Sequence, residues 1–337
     1  LNSIFALFAG KAYAIFALLF GFTFYMQSNN QKKQGKDFGY RFLWRLALLG
    51  VFATWNAAFF PAGDVLLLFV VVGVVLFLTR SWSDRAIGVA AVVLLLQPVE
   101  WYHYIANLIN PAHRLPDLKV AEMYGEVADY TKAGNWRDFL LGNVTLGQKA
   151  SFLWAVNAGR FVQTAGLFLL GFFIGRKQLF MTNEKNIVFW TKVLIISAIS
   201  FAPLYTLKEL VMENDPIVQQ TVGTAFDMWQ KLAFTLVLVA SFILLYQHKN
   251  FSKAVAGLRF YGKMSLTNYI SQSIIGAFIY FPIGLNLAPY CGYTLSLSVG
   301  FLIFLLQLKF CKWWLARHKQ GPLEYIWHKC TWIGTGK

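Results

Sequence analysis

Apolar residues in this 337-residue chain come in blocks, separated by short polar stretches. Nine blocks read as Ile4–Met26, Arg41–Phe60, Asp64–Thr79, Ile87–Leu108, Ser151–Gly175, Ile187–Leu210, Ala225–Gln247, Ser265–Leu285 and Tyr293–Trp314. Most approach the ~20 residues that carry a helix across a bilayer. Backbone groups in lipid must be satisfied within the segment, and the period-2 alternation of a membrane barrel is absent. The pattern therefore predicts an all-α fold: one polytopic membrane domain over 1–337, with about nine transmembrane helices.

Composition agrees. Hydrophobic residues make up 57% and charged residues only 13%, against about 25% charged in a soluble domain. The charge then orients the chain. Threaded alternately, the nine blocks leave 21 of the 30 Lys and Arg on one side, with only Asp37, Asp84, Glu184 and Glu324 among the acids. That side carries +17 and the rest −2. Excess Lys and Arg marks cytoplasmic loops, so 27–40, 80–86, 176–186, 248–264 and the 315–337 tail are expected inside. The basic balance is a topology signal and excludes nucleic acid as its explanation. The expected location is a bacterial cytoplasmic (inner) membrane, multi-pass, with the C-terminus cytoplasmic. The first helix then enters from outside with no basic leader ahead of it, and one further helix before Leu1 is expected.

The segment 109–150 is the one sizeable loop and is expected outside as a cap. It holds five basic and five acidic residues. Ala121–Leu141 has helical spacing, and Asn143-Val144-Thr145 has the form of a glycosylation acceptor. Three scattered cysteines, Cys291, Cys311 and Cys330, give neither a disulfide framework nor metal-ligand spacing.

Ionisable residues within spans are functional candidates by default. Here they are Lys11, Asp64, Glu100, His103, Arg160, Asp227 and Lys231, all in the outer half of the threading. Gln97, Glu100 and His103 recur every three residues beside Pro98, which should kink that helix. Asn157, Arg160 and Thr164 form a stripe at helical spacing, and Asn56 lies one helix from Asp64. An outward-open cavity shared by these groups would account for them, with Arg160 opposite Glu100 and a Glu100–His103 pair moving protons. The plainer account is local: Asp227 and Lys231 pair at i, i+4, and Lys11 snorkels to the interface. On the inner half Ser265, Asn268, Tyr269 and Gln272 share a face, and such groups either join helices or bind a ligand.

Several motifs together resemble the YeiB-like family of bacterial inner-membrane proteins. GKMSLTNYISQS (262–273) and QGPLEYIWHKCTW (320–332) are the specific ones. GKAYAIFALLFGFTF (10–24), the segment from Leu48 through PAGDVLLLFVVVG (61–73), and FVQTAGLFLLGFFIGR (161–176) are similar more loosely. That family is grouped with transmembrane acyltransferases. The resemblance implies ten to eleven helices and acyl transfer from a cytoplasmic donor, such as acyl-CoA, to an outside acceptor. The family's opening LDxLRG helix does not occur here. Its histidine eight residues before the Asp of GD is Asn56 here, and an amide is neither base nor nucleophile.

Three functions follow as expectations. In the first, a membrane-embedded acyltransferase-like protein takes its donor near Lys263 and Arg259. Glu100 or His103 is the base, and Arg160 or Lys11 stabilises developing negative charge. Lys11, Asn56, Asp64, Asn268, Tyr269, Gln272 and Lys263 bind substrate. In the second, a carrier handles a lipid or anionic solute. The third is a non-catalytic membrane subunit. The partners expected are the bilayer, a small-molecule or lipid ligand, and further subunits or a second copy.

Overall fold

The computed structural model describes residues 10–333, and every regular element among them is a helix. In chain order these are α1 Lys11–Lys33, α2 Gly39–Phe59, α3 Leu66–Thr79, α4 Asp84–Leu95, α5 Pro98–Ile109, α6 Val120–Lys132, α7 Trp136–Gly142, α8 Gln148–Asn157, α9 Arg160–Arg176 and α10 Glu184–Met212. There follow α11 Thr224–Tyr246, α12 Lys249–Val255, α13 Leu258–Lys263, α14 Ser265–Tyr280, α15 Tyr293–Leu315 and α16 Pro322–Thr331. Short π-type turns, Asn143–Gly147 and Gln219–Gly223, lead into α8 and α11.

Among the described residues, four helices are long and apolar enough to cross a membrane: α2, α10, the run Pro216–Tyr246 that includes α11, and α15. Two bent pairs, α4 with α5 and the run ending in α8 with α9, raise the number to six. The nine expected crossings are not reached by this measure. Helix α3 is 14 residues, about 21 Å at 1.5 Å per residue, short of a ~30 Å hydrocarbon core. The start of the first expected span, residues 4–9, lies outside the described residues. The expected 87–108 helix does break at Pro98: Gln97 is left-handed (φ 59°), and α4 and α5 meet at 49°.

The chain divides into two compact units. The first holds residues 1–43, 71–118 and 155–251; the second holds 44–70, 119–154 and 252–337.

In the first unit α1 and α9 cross at backbone contact. A Cβ on Gly21 would stand 1.9 Å from the carbonyl oxygen of Phe168, and one on Gly171 equally close to that of Leu18. Only glycine allows such an approach, which lets dispersion and weak C–H contacts act between the two backbones. Phe20 stacks on Phe168 with centroids 4.7 Å apart, and Phe24 meets Phe172 at 5.2 Å. The Tyr13 hydroxyl bonds that of Thr164. Contacts that advance together along both chains make α1 and α9 parallel. Helix α4 runs against them, from Asp84 beside Arg176 and Lys177 (both 2.8 Å) to Leu95 beside Gly166. Helices α10 and α11 are antiparallel, with Phe201 packed on Phe234 and Lys208 reaching Asp227. Trp190, Leu18, Ile174 and Ala240 form a buried cluster, and the Trp190 indole donates to the Leu179 carbonyl at 2.8 Å. One end of the unit thus gathers Lys11, Arg160, Lys208, Asp227 and Lys231. The other gathers Lys33, Asp84, Arg176 and Lys177.

In the second unit α14 begins on a carboxylate from another helix. Glu324 accepts the backbone N–H groups of Leu266 (2.7 Å) and Thr267 (3.0 Å). The tail is therefore folded: α16 docks on α14, Trp327 donates to the Arg45 carbonyl at 3.2 Å, and the Arg45 guanidinium lies over the Trp327 ring. The 109–150 segment is helical where expected but interrupted at Gly134 (φ 71°). Asn143 is 1% exposed; its amide donates to the Ala58 carbonyl and accepts from the Tyr130 hydroxyl, both at 2.9 Å. Its nitrogen is engaged and buried, so the acceptor pattern at 143–145 has no free amide to offer. Burial pushes the Tyr130 hydroxyl up to about 12.

Candidate functional site

The candidate residues divide between the units. In the first, Glu100 stands in the opening turn of α5, after the left-handed Gln97 and the helix-starting Pro98. It is 8% exposed, and its Oε2 meets no hydrogen-bonding partner. Gln97, fully buried, leaves both amide atoms without a partner as well. Buried polar atoms in this condition are uncommon in folded proteins and mark places where structure is not the whole purpose.

Glu100 Oε1 lies 2.5 Å from where a Cβ on Gly159 would be. Gly159 is left-handed (φ 62°), and it breaks the expected 151–175 helix into α8 and α9. This corrects the continuous Asn157–Arg160–Thr164 stripe: Asn157 ends one helix and Arg160 opens the next. Among the described residues no ion pair joins Arg160 to Glu100, which lies against the adjoining Gly159. The new helix start sends the Arg160 guanidinium over the Tyr13 ring, 4.8 Å from its centroid, and toward Gln163 Oε1 at 3.2 Å. The carboxylate rests instead against the Gly159 backbone.

His103 does not pair with Glu100 either. Its Nδ1 lies 3.0 Å from His113 Nε2, with the rings stacked. His113 is a partner that sequence reasoning missed; its only signal is the Asn110-Pro111 turn that folds the chain back. Lys11 is 3% exposed, its ammonium 5.4 Å from the Phe234 ring centroid. Asp227 and Lys231 form the expected i, i+4 pair, but Lys208 joins them at 3.8 Å. Sequence reasoning passed over Lys208, which sits near the end of a long apolar helix.

The second unit brings Asn56, Asp64 and Tyr269 together. Asn56 is fully buried and donates to Asp64 Oδ1 at 3.2 Å; the Leu66 N–H donates to the same oxygen at 3.1 Å. The Tyr269 hydroxyl accepts from the Val65 N–H at 3.3 Å and faces Asn56. Asn268 donates to the Tyr261 carbonyl (3.1 Å) and meets Cys311 Sγ at both ends of its amide. Gln272 donates to the Tyr261 hydroxyl and to Gln307 Oε1. Burial raises the Tyr261 hydroxyl above its ordinary value. Gln272 and Tyr269 also border a cavity of about 410 Å³, otherwise lined by Phe60, Ser273, Gly276, Tyr280 and Phe281. Lys263 is exposed at the end of α13.

With four to six candidate spans among the described residues, each long and apolar enough to cross a membrane, the chain is an all-helical protein of membrane type. The family described as "Protein of unknown function (DUF418)", a YeiB-like family, matches residues 174–334. Over 347 aligned residues the chain is 22% identical to "Uncharacterized protein YxaH" of Bacillus subtilis (strain 168), spanning 96% of this chain and 79% of that protein. Over 91 residues it is 37% identical to the "Uncharacterized 39.9 kDa protein in amylase 3'region" of Bacillus acidopullulyticus, covering 26% of this chain and 25% of that one. No solved structure matches.

Proposed function

We propose that the chain is a multi-pass protein of the bacterial cytoplasmic membrane, with about nine crossings and a cytoplasmic C-terminus, and that it transfers an acyl group to an extracytoplasmic acceptor. The observation that carries the chemistry is Glu100: a buried carboxylate with one oxygen unpartnered and the other pressed to a backbone break. A carboxylate in that setting is held for a proton rather than for an ion pair. In the reaction an acceptor hydroxyl or amine attacks the carbonyl of an acyl thioester. Its proton passes to Glu100, the C–S bond breaks, and Glu100 returns the proton to the leaving thiolate. Arg160, at the first position of α9, stabilises the oxyanion. His103, further along α5 and stacked on His113, takes no part in this transfer. Asn56 holds Asp64 in place and takes no part in proton transfer.

The test is turnover of labelled acyl-CoA by the purified protein, wild type against Glu100→Gln. Turnover in the wild type that the variant lacks supports the proposal; equal turnover, or none in the wild type, overturns it. Uptake of an organic anion into vesicles without turnover would favour the carrier reading.

A further inference from the structure

A second chemistry stands at the same end of the first unit and does not depend on acyl transfer. Four cationic side chains meet there. The Asp227 carboxylate pairs with Lys231 and has the Lys208 ammonium at 3.8 Å. Lys208 also lies 3.4 Å from Glu209, an acid at the rim with its side chain 54% exposed. Lys11 feels the charges of Lys231, Lys208 and Asp227, and Arg160 that of Asp227. Gly10, left-handed at φ 79°, lets the chain pass close to two of the cations: a Cβ there would stand 3.1 Å from Lys231 Cδ and 3.6 Å from Arg160 Nη2. A side chain at this position would press on both cations.

An ion-pair network that served packing alone would balance its charges. This one sets four cations against Asp227, the rim Glu209 and the nearby Glu100, so like charges still crowd one another in a poorly solvated place. Solvent still reaches it, since Lys208, Lys231 and Asp227 keep 22%, 20% and 19% of their side chains exposed. The positive ends of α1 and α9 point the same way, because Lys11 and Arg160 are the first residues of those parallel helices. We propose that Lys11, Arg160, Lys208 and Lys231, arranged on Asp227 around Gly10, bind a phosphate group, either of a lipid headgroup or of a free phosphate ester. The guanidinium supplies a planar two-point contact and the lysines supply point charges.

The full chain, purified in detergent, is titrated with glycerol 3-phosphate at low salt. In parallel it is reconstituted into nanodiscs of phosphatidylcholine alone or with phosphatidylglycerol, and bound lipid is counted by native mass spectrometry. Lys208→Gln is the principal variant, because it leaves the Lys231–Asp227 pair intact and should fold. Lys231→Gln is the second, and Lys253→Gln is the control outside the cluster. Saturable binding is expected in one arm, which identifies the source of the phosphate. It should weaken at least tenfold in Lys208→Gln and Lys231→Gln and stay unchanged in Lys253→Gln. Absence of saturable binding in both arms, or equal binding by wild type and both cluster variants, overturns the site. Because the readout is binding, its failure is distinct from failure of acyl transfer.

Discussion

Thr267 donates twice to Glu324: its N–H to Oε1 at 3.0 Å and its hydroxyl to Oε2 at 2.6 Å. With the Leu266 N–H at 2.7 Å, one carboxylate closes the orphan donors at the start of α14. The favourable end of the helix dipole adds to this. The link runs 57 residues along the chain, from GKMSLTNYISQS to QGPLEYIWHKCTW, so the two most specific motifs are halves of one lock. Gly321 belongs to it, since a Cβ there would stand 2.1 Å from Glu324 Oε2. Hydrogen bonds to a charged group contribute about 1.5–3 kcal/mol. Glu324→Ala should therefore lower stability by about 2–3 kcal/mol and Glu324→Gln by less, read as thermal unfolding in detergent. Equal melting of Glu324→Ala and wild type would remove the lock.

The crossing of α1 and α9 makes a sharper mechanical claim. Gly171→Ala places a methyl 1.9 Å from the Leu18 carbonyl oxygen, a backbone atom that cannot rotate away. The helices must separate, with a loss of about 3 kcal/mol, at the upper end of overpacking penalties. Gly300→Ala in α15, where no atom lies within 4 Å of the new methyl, should instead hold or gain up to about 1 kcal/mol from helix propensity. Matched melting curves for the two variants would refute the crossing.

Much of this was legible and some was not, for physical reasons. The apolar blocks announce helices, and Pro98 announces a break, because a ring without an N–H cannot continue a ladder. Gly159 announces nothing: glycine occurs within membrane helices, and only the structure shows its φ turning positive. The error at Gly159 passed to Asn157, two residues before it, and to Arg160, the next residue. Asn56 and Asp64 are eight residues apart, so their meeting across a short hairpin could be foreseen. Tyr269 joins them from 204 residues beyond Val65, and one sequence holds no signal of that distance. Lys208 and His113 were missed because each lies where an apolar block ends, and such a residue reads as an interface or loop group.

Gly159 also tests the role of Glu100. Gly159→Ala introduces a methyl 2.5 Å from Glu100 Oε1 into a left-handed backbone that side chains rarely adopt. The carboxylate must move, and a displaced base loses on the order of 10²-fold in rate. Combined with Glu100→Gln, the glycine change should add little, because both act through one group. Full additivity of the two changes in labelled acyl-CoA turnover would mean that Glu100 does not act from its position against Gly159.

Topology makes a prediction of its own. Parallel α1 and α9 with antiparallel α4 suit alternate threading, with the Lys33, Arg176 and Lys177 end inside. In a background with the three native cysteines replaced, an impermeant thiol reagent on intact cells should label a cysteine at position 132 and spare cysteines at 33 and 253. The reverse pattern would invert the protein in the membrane.

Asn268 separates joining from binding on the inner half. Its amide donates to the Tyr261 carbonyl and exchanges contacts with Cys311, while Gln307 reaches across to the Asn268 carbonyl at 3.1 Å. At 2% exposure it has no face left for a ligand. Hydrogen bonds between membrane helices average about 0.6 kcal/mol. Asn268→Leu should therefore lower stability by about 1 kcal/mol or less and leave turnover intact. Gln272, one turn on, differs because it borders the 410 Å³ cavity beside Tyr269 and Ser273. Gln272→Leu should change what that cavity accepts, seen as altered binding of a small apolar probe, at a similar small cost in stability. Loss of turnover in a well-folded Asn268→Leu protein would return Asn268 to the binding residues and make the Tyr261–Cys311 network part of the site.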